Sequence, residues 1–479
     1  MSLDTVANST FEDTRIRPVF HPRWIAAALL QAAAMAGLAL GMPELAFEGK
    51  ATLAIFAATL IGWVVLRLPD TPVALVAVLA LIAAGAVEED ALFETFESEI
   101  VWLLIAAFVM ASVIRRSGIA ERHALAVLSR CSSVASLFRW ATLIVAATAF
   151  VIPSTSGRAA IFLPVFLAIA QAIGRERVTR ALALLFPTVI LLSACASLTG
   201  AGAHLIAVDY IDRAGGPEIG YLAWAALNAP FGLAISLAAS AVIQRLFLNQ
   251  EDRQASPTAA RIVAVPGSAS DMRVGALTAA TVFMWATASW HGIDPALIAL
   301  AGALAAASKT ASGISFKEAI RDVEWNLLVF LAATLVIGSA LIETGVAAYL
   351  ASAVLDGLRA APVAHPALPV ALAALLSALA HLVVISRTAR VAVLVPAVAL
   401  PLSALGTDTA TMILVVTVGS GFCQTLIVSA KPVMLFGGIE SRPFSDSDLF
   451  RLALCLLPLF LGLLVLFATS IWPWLGLGA

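Results

Sequence analysis

Charge is scarce in this chain. Of its 479 residues only 12% are Asp, Glu, Lys or Arg, about half the share usual in soluble globular proteins, while 61% are hydrophobic. So few charges cannot cover so much apolar surface in water, which excludes a soluble enzyme of this length and a disordered chain. Cysteine is scarce as well. Cys131, Cys195, Cys423 and Cys455 are the only four, and three lie in apolar segments, which argues against a disulfide framework. Runs of Lys and Arg are missing and the net charge is −2, so nucleic acid is not an expected partner. Also missing are a His-rich cluster, a Gly-x-Ser-x-Gly elbow, zinc-ligand spacing and a nucleotide loop, so neither an enzyme nor a cofactor is expected. What remains is an all-α polytopic membrane protein, with the lipid bilayer as its main environment. The polar first 23 residues carry Asp4, Glu12 and Asp13 and show no cleavable signal peptide, which suits a multi-pass protein of the cell inner (plasma) membrane.

A helix needs about 20 apolar residues to cross a bilayer. Spans are expected near 24–42, 50–67, 71–87, 99–115, 182–210, 220–245, 272–290, 294–308, 325–342, 409–437 and 449–473. Two further apolar stretches, about 140–174 and 366–404, are too long for one span and carry polar centres. The first centre reads Pro153-Ser154-Thr155-Ser156-Gly157-Arg158, the second Ser386-Arg387-Thr388-Ala389-Arg390. Both flanks of the first stretch are basic, with Arg115, Arg116, Arg122, Arg130 and Arg139 before it and Arg175, Arg177 and Arg180 after it. Both flanks are therefore expected inside, and the stretch enters and leaves on one side as a re-entrant hairpin. The second has only Arg359 before it and no cation in the following loop, so it enters from outside. With the N-terminus cytoplasmic and the C-terminus outside, 21 of the 28 cations fall inside and three outside. Four are left at membrane depth: Arg158, Arg387, Arg390 and Lys431.

The two halves resemble each other. Residues 101–121 and 328–348 align through Gly118-Ile119-Ala120 and Gly345-Val346-Ala347. The hairpin centres correspond at Ser154 and Ser386, and a third pair runs from Cys195 to His204 and from Cys423 to Pro432. An odd number of crossings per half, five, makes this an inverted repeat with eleven transmembrane helices plus two hairpins. The expected divisions are a cytoplasmic N-terminal segment (1–23), an extra first span (24–49), repeat 1 (50–246), a cytoplasmic linker (247–271) and repeat 2 (272–479). Gly-rich Ser197–His204 and the Ser429-Ala430-Lys431-Pro432 segment should unwind, as broken helices do at the midplane of secondary transporters.

These residues resemble the divalent anion/sodium symporter family of the wider ion-transporter superfamily. The likeness rests on spans, hairpins and unwound segments, and on Ala159 to Pro164 and Val391 to Pro396 following the two tips. It implies an elevator-type carrier, usually a homodimer, of dicarboxylates, citrate or sulfate, whose tips and unwound carbonyls hold sodium and the anion. Here both tip asparagines are gone. The matching triplets are Ser154-Thr155-Ser156 and Ser386-Arg387-Thr388, with Arg158 and Arg390 two positions beyond, and Lys431 stands where a proline is expected.

Each buried charge costs at least roughly 2.5–3.5 kcal/mol, and none of these segments carries its own acid, so the cations need an anion or a partner elsewhere. Glu99 and Glu343 are the nearest candidates by sequence, and snorkelling or structural pairing is the plainer alternative. The reading adopted is an anion held by Arg387, Arg390 and Arg158. Ser154, Thr155, Ser156, Ser386 and Thr388 supply hydroxyls, and Thr199, Gly200, Ser429 and Lys431 contribute from the unwound segments. Guanidinium suits carboxylate, sulfate and phosphate through paired donors. Fixed cations would replace bound sodium, leaving coupling to sodium, protons or a counter-anion open. His204, in place of a family asparagine, and His381 are proton-carrying candidates. The rival classes are a cation/proton antiporter of the same superfamily and a non-transporting membrane receptor.

Overall fold

The computed structural model describes residues 30–31, 45–256, 268–358 and 367–477. The N-terminal segment, the extra first span apart from Leu30 and Gln31, part of the linker, and Arg359 lie outside these residues. Among the described residues all regular structure is helical. Seven helices are long and apolar enough to cross a membrane: Phe47–Val64, Glu99–Ser117, Thr155–Ile173, Glu176–Ala196, Tyr221–Phe247, Trp325–Glu343 and Asp446–Trp474. Shorter apolar helices include Asp70–Ala83, Pro295–Ala306 and Thr409–Gly419.

In chain order we label α1 (Phe47–Val64), α2 (Asp70–Ala83) and α3 (Glu99–Ser117). Ser98 caps α3 by accepting from Ile100 N, and Gly118 ends it at φ +67° with Arg115 and Arg116 in the last turn. The helix Trp325–Glu343 ends in the same way two residues on, at Gly345 with φ +77°. The two glycines aligned in the sequence therefore share the left-handed conformation that ends a helix.

Four interruptions organise the centre. Helix α4 (Val134–Ala147) gives way to a turn at Thr148–Phe150, and α5 (Thr155–Ile173) restarts behind Ser154, whose Oγ accepts from Gly157 N at 3.2 Å. Helix α6 (Glu176–Leu192) breaks through two short turns before α7 (Gly202–Arg213). The close approach of Gly200 to this break leaves no room for a side chain, since a Cβ there would lie 2.2 Å from Ala194 O. After α8 (Tyr221–Phe247), α9 (Ala269–Ala286), α10 (Pro295–Ala306) and α11 (Trp325–Glu343), the third break follows α12 (Ala367–Leu379). Helix α13 (Arg387–Leu394) then restarts behind Ser386, which accepts from Ala389 N at 3.3 Å. The fourth separates α14 (Thr409–Gly419) from α15 (Lys431–Gly437). It begins at Ser420, well before the Pro432 expected to cause it. Pro432 opens α15 instead, where its missing N–H costs nothing. Helix α16 (Asp446–Leu466) completes the described chain's long elements.

Packing holds these restarts in place. Phe162 and Phe166 of α5, Phe186 of α6 and Phe436 of α15 form one buried aromatic group, with Phe186 and Phe436 stacked at 5.9 Å. Helices α2 and α11 start side by side, tied by Thr71 Oγ1 donating to Asn326 O at 3.1 Å. Trp63 and Trp472 are buried, their Nε1 groups donating to Asp70 O and Leu227 O.

Candidate anion site

The N-termini of α5 and α13, both broken segments and the starts of α2 and α11 enclose a cavity of about 780 Å³. Ten of the fourteen residues expected at the site line it: Ser154, Thr155, Ser156, His381, Ser386, Arg387, Thr388, Arg390, Ser429 and Lys431. These come from elements far apart in sequence, so the fold brings both tips together.

The guanidinium of Arg387 carries the strongest signal. Its Nε, Nη1 and Nη2 are all shielded from solvent and none has a hydrogen-bond partner. It lies against Gly421, where a Cβ would come within 2.9 Å of Nη2, so glycine provides its clearance. Arg390 is 1% exposed and its Nη2 donates to Cys423 Sγ at 2.9 Å, leaving Nε and Nη1 without partners. Native proteins pair nearly all buried polar groups, and these five unpaired guanidinium nitrogens are donors that a multiply accepting anion could satisfy. Lys431 is exposed to the same cavity. Ser429 accepts from Leu426 N at 3.0 Å. Both ring nitrogens of His381 are occupied, Nδ1 by Ala378 O and Nε2 by Thr425 Oγ1.

Four expected residues are not brought to the cavity. Arg158 is fully buried and its donors are spent on Thr148 Oγ1 (3.1 Å), Ile190 O (3.0 Å), Val145 O (2.5 Å) and Ser193 Oγ (2.7 Å). It ties the broken ends of α4 and α6, satisfying carbonyls that a helix end leaves free. Thr199 is buried against Ser197, and Gly200 sits at its tight break. His204 donates from Nδ1 to Ser197 O at 2.9 Å and stacks 5.0 Å from Trp224.

Two residues at the cavity were absent from the sequence reading. Glu324 accepts from Ser154 Oγ at 2.5 Å, and Asp70 faces Ser386 and Lys431. Each stands at the start of an apolar helix, a position usually read as a membrane boundary. The acids suggested by sequence lie elsewhere: Glu99 beside Asp294, and Glu343 bonded to Ser339 and 4.0 Å from Arg213. Below the cavity, Asp322 binds Arg116 (2.7 Å), Arg115 (2.8 Å) and Ser112 (2.6 Å). The Arg116 hydrogen bond holds the Asp322 carboxyl well below the usual carboxylate range against its partial burial, with Ser112 and Arg115 assisting. Among the described residues no group of three or more His, Cys, Asp or Glu side chains converges on a metal site.

Comparison with known proteins places this geometry. The fold is similar to the crystal structure of the Alcanivorax borkumensis YdaH transporter, with a TM-score of 0.54 and 15% identity, covering 81% of this chain and 88% of that one. A Cupriavidus necator protein described as a membrane protein is 27% identical over 401 residues, 80% of this chain and 76% of that one. Residues 22–477 match the sodium:sulfate symporter transmembrane region. A match over nearly the whole chain makes it a member of the sodium:sulfate symporter family, a membrane transporter and not an enzyme.

Proposed function

We propose that this chain is a secondary active carrier of a small organic or inorganic anion, a dicarboxylate, sulfate or similar. In this reading eleven spans and two opposed re-entrant hairpins form inverted five-span repeats, and a homodimer in the inner membrane works by elevator-type alternating access. The observation that carries the reading is the buried, partnerless guanidinium of Arg387 beside Arg390 at a cavity roomy enough for such an anion. Arg67, Glu324 and Trp325 line the cavity, and Asp322, two residues before Glu324, binds Arg115 and Arg116, at the end that the basic loops assign to the cytoplasm. That supports an orientation with this end of the cavity, and the N-terminus, inside and the C-terminus outside.

The same arginines bear on coupling. Sodium needs oxygen acceptors, and the second tip offers guanidinium donors in place of an asparagine carbonyl. Tethered cations offset substrate charge in its stead, which favours exchange or proton coupling over strict sodium symport. A cation/proton antiporter fits less well, because Glu324 is bonded to a tip serine and Asp70 faces Lys431.

Uptake of labelled sulfate and dicarboxylates into proteoliposomes, with and without a sodium gradient, tests this. Uptake without sodium is expected. Strict sodium dependence overturns the replacement of sodium by arginine. Unimpaired uptake by both Arg387→Gln and Arg390→Gln overturns the site, and flux equal to that of empty liposomes for every anion overturns the carrier.

A further inference from the structure

We infer that Glu324 is a tethered competitor for the anion site: its carboxylate holds the first tip serine when no anion is bound, and substrate must displace it. The inference rests on the anion-carrier reading above.

Glu324 occupies the N-cap position of α11, where a side chain ordinarily accepts from its own helix's amides. It makes no such bond. Its carboxylate turns instead to the other repeat, where Oε1 accepts from Ser154 Oγ at 2.5 Å across 170 residues of chain. Ser154 has one hydroxyl proton to give, and its oxygen already accepts from Gly157 N. A bound anion that uses the Ser154 hydroxyl therefore needs the proton that Glu324 now holds. Among the described residues Glu324 has no ion pair, and Arg115 and Arg116 both bind Asp322. Asp70 lines the same cavity as Ser386 and Lys431. The Thr71–Asn326 bond ties the two helices that carry these acids. One helix pair thus brings two carboxylates to the cavity, the same charges that a dianion would carry.

Glu324→Gln keeps the shape and removes the charge. The full-length purified protein is titrated with sulfate, succinate and citrate, by direct binding and by thermal shift. Loss of a charge-assisted bond in the empty state is expected to tighten binding about tenfold. The empty variant melts lower than wild type, yet its anion-induced shift is larger, which a merely structural role would not produce. In a Ser154→Ala background the Glu324→Gln effect on affinity should vanish. If Glu324→Gln fails to fold, Glu324→Asp, whose shorter side chain withdraws the carboxylate from Ser154, makes the same measurement and should also tighten binding. Affinity unchanged or weakened in the folded variant overturns the inference alone. Wild type that binds none of the three anions overturns the carrier reading beneath it.

Discussion

Replacing Arg387 by methionine removes a charge and keeps much of the side-chain volume. For most buried arginines this would destabilise, because carbonyls or carboxylates would lose their donor. Arg387 has no acceptor to strand, since none of its three nitrogens is bonded. What the substitution removes is an uncompensated buried charge, worth at least roughly 2.5–3.5 kcal/mol. The empty protein should therefore gain about 3 kcal/mol. With an unfolding entropy near 2.1 cal/mol/K per residue, that is a rise in Tm of about 3 °C for a chain of this length. The loaded protein should behave in the opposite way. Wild type at a hundredfold excess of anion over Kd gains about 2.7 kcal/mol, and Arg387→Met gains nothing. The assay is a thermal melt of the purified protein in detergent, with and without sulfate and succinate. A melting point below wild type in the empty state, or a retained anion shift, refutes the reasoning.

Arg158→Met is the contrasting case: it withdraws the donors at Ile190 O and Val145 O, and should cost about 2–4 kcal/mol equally with and without anion, read in the same melts. Gly200→Ala drives a Cβ against the backbone oxygen of Ala194 and should abolish the folded yield, whereas Gly220→Ala meets nothing within 4 Å and should be near neutral, by size-exclusion of detergent extracts. Asp322, whose pKa is depressed in the folded state, contributes stability that is fully present above the ordinary carboxylate value near 4 and is lost as pH falls toward its folded pKa. Asp322→Asn should lower stability at pH 7 and flatten its decline between pH 5 and pH 3, followed by denaturation at fixed temperature.

What was legible in the sequence was whatever depends on local composition. Polar centres in apolar stretches marked the two tips, and Ser154 and Ser386 do cap the helices that follow. The Gly-rich Ser197–His204 segment marked the break before α7. Side-chain direction was not legible. Arg158 and Arg390 stand at matching places after the two tips, yet one meets the free carbonyls of α4 and α6 and the other meets little beyond a thiol. Nothing in their spacing distinguishes them, because the acceptors belong to other helices. The same limit hid Asp70 and Glu324. A search for counter-charges along each cation's own segment cannot find acids that α2 and α11 bring across the fold. The fourth break was misplaced because Pro432 drew the reading, while the break starts at Gly419-Ser420-Gly421, whose two glycines are the local signal that was passed over.

The restarts of α5 and α13 have one more consequence. Both helices point their N-termini at the cavity, and helix N-termini carry about half a positive charge each. Arg387 is the first residue of α13, so a full charge adds to a partial one of the same sign. With low-dielectric walls around it, that sum acts as a filter on what enters. Four cations, Arg67, Arg387, Arg390 and Lys431, outnumber the carboxylates of Asp70 and Glu324 around the cavity, so the balance there favours an anion over a small cation. In the anion-carrier reading proposed above, selection by sign would thus precede any hydrogen bond that tests size or shape.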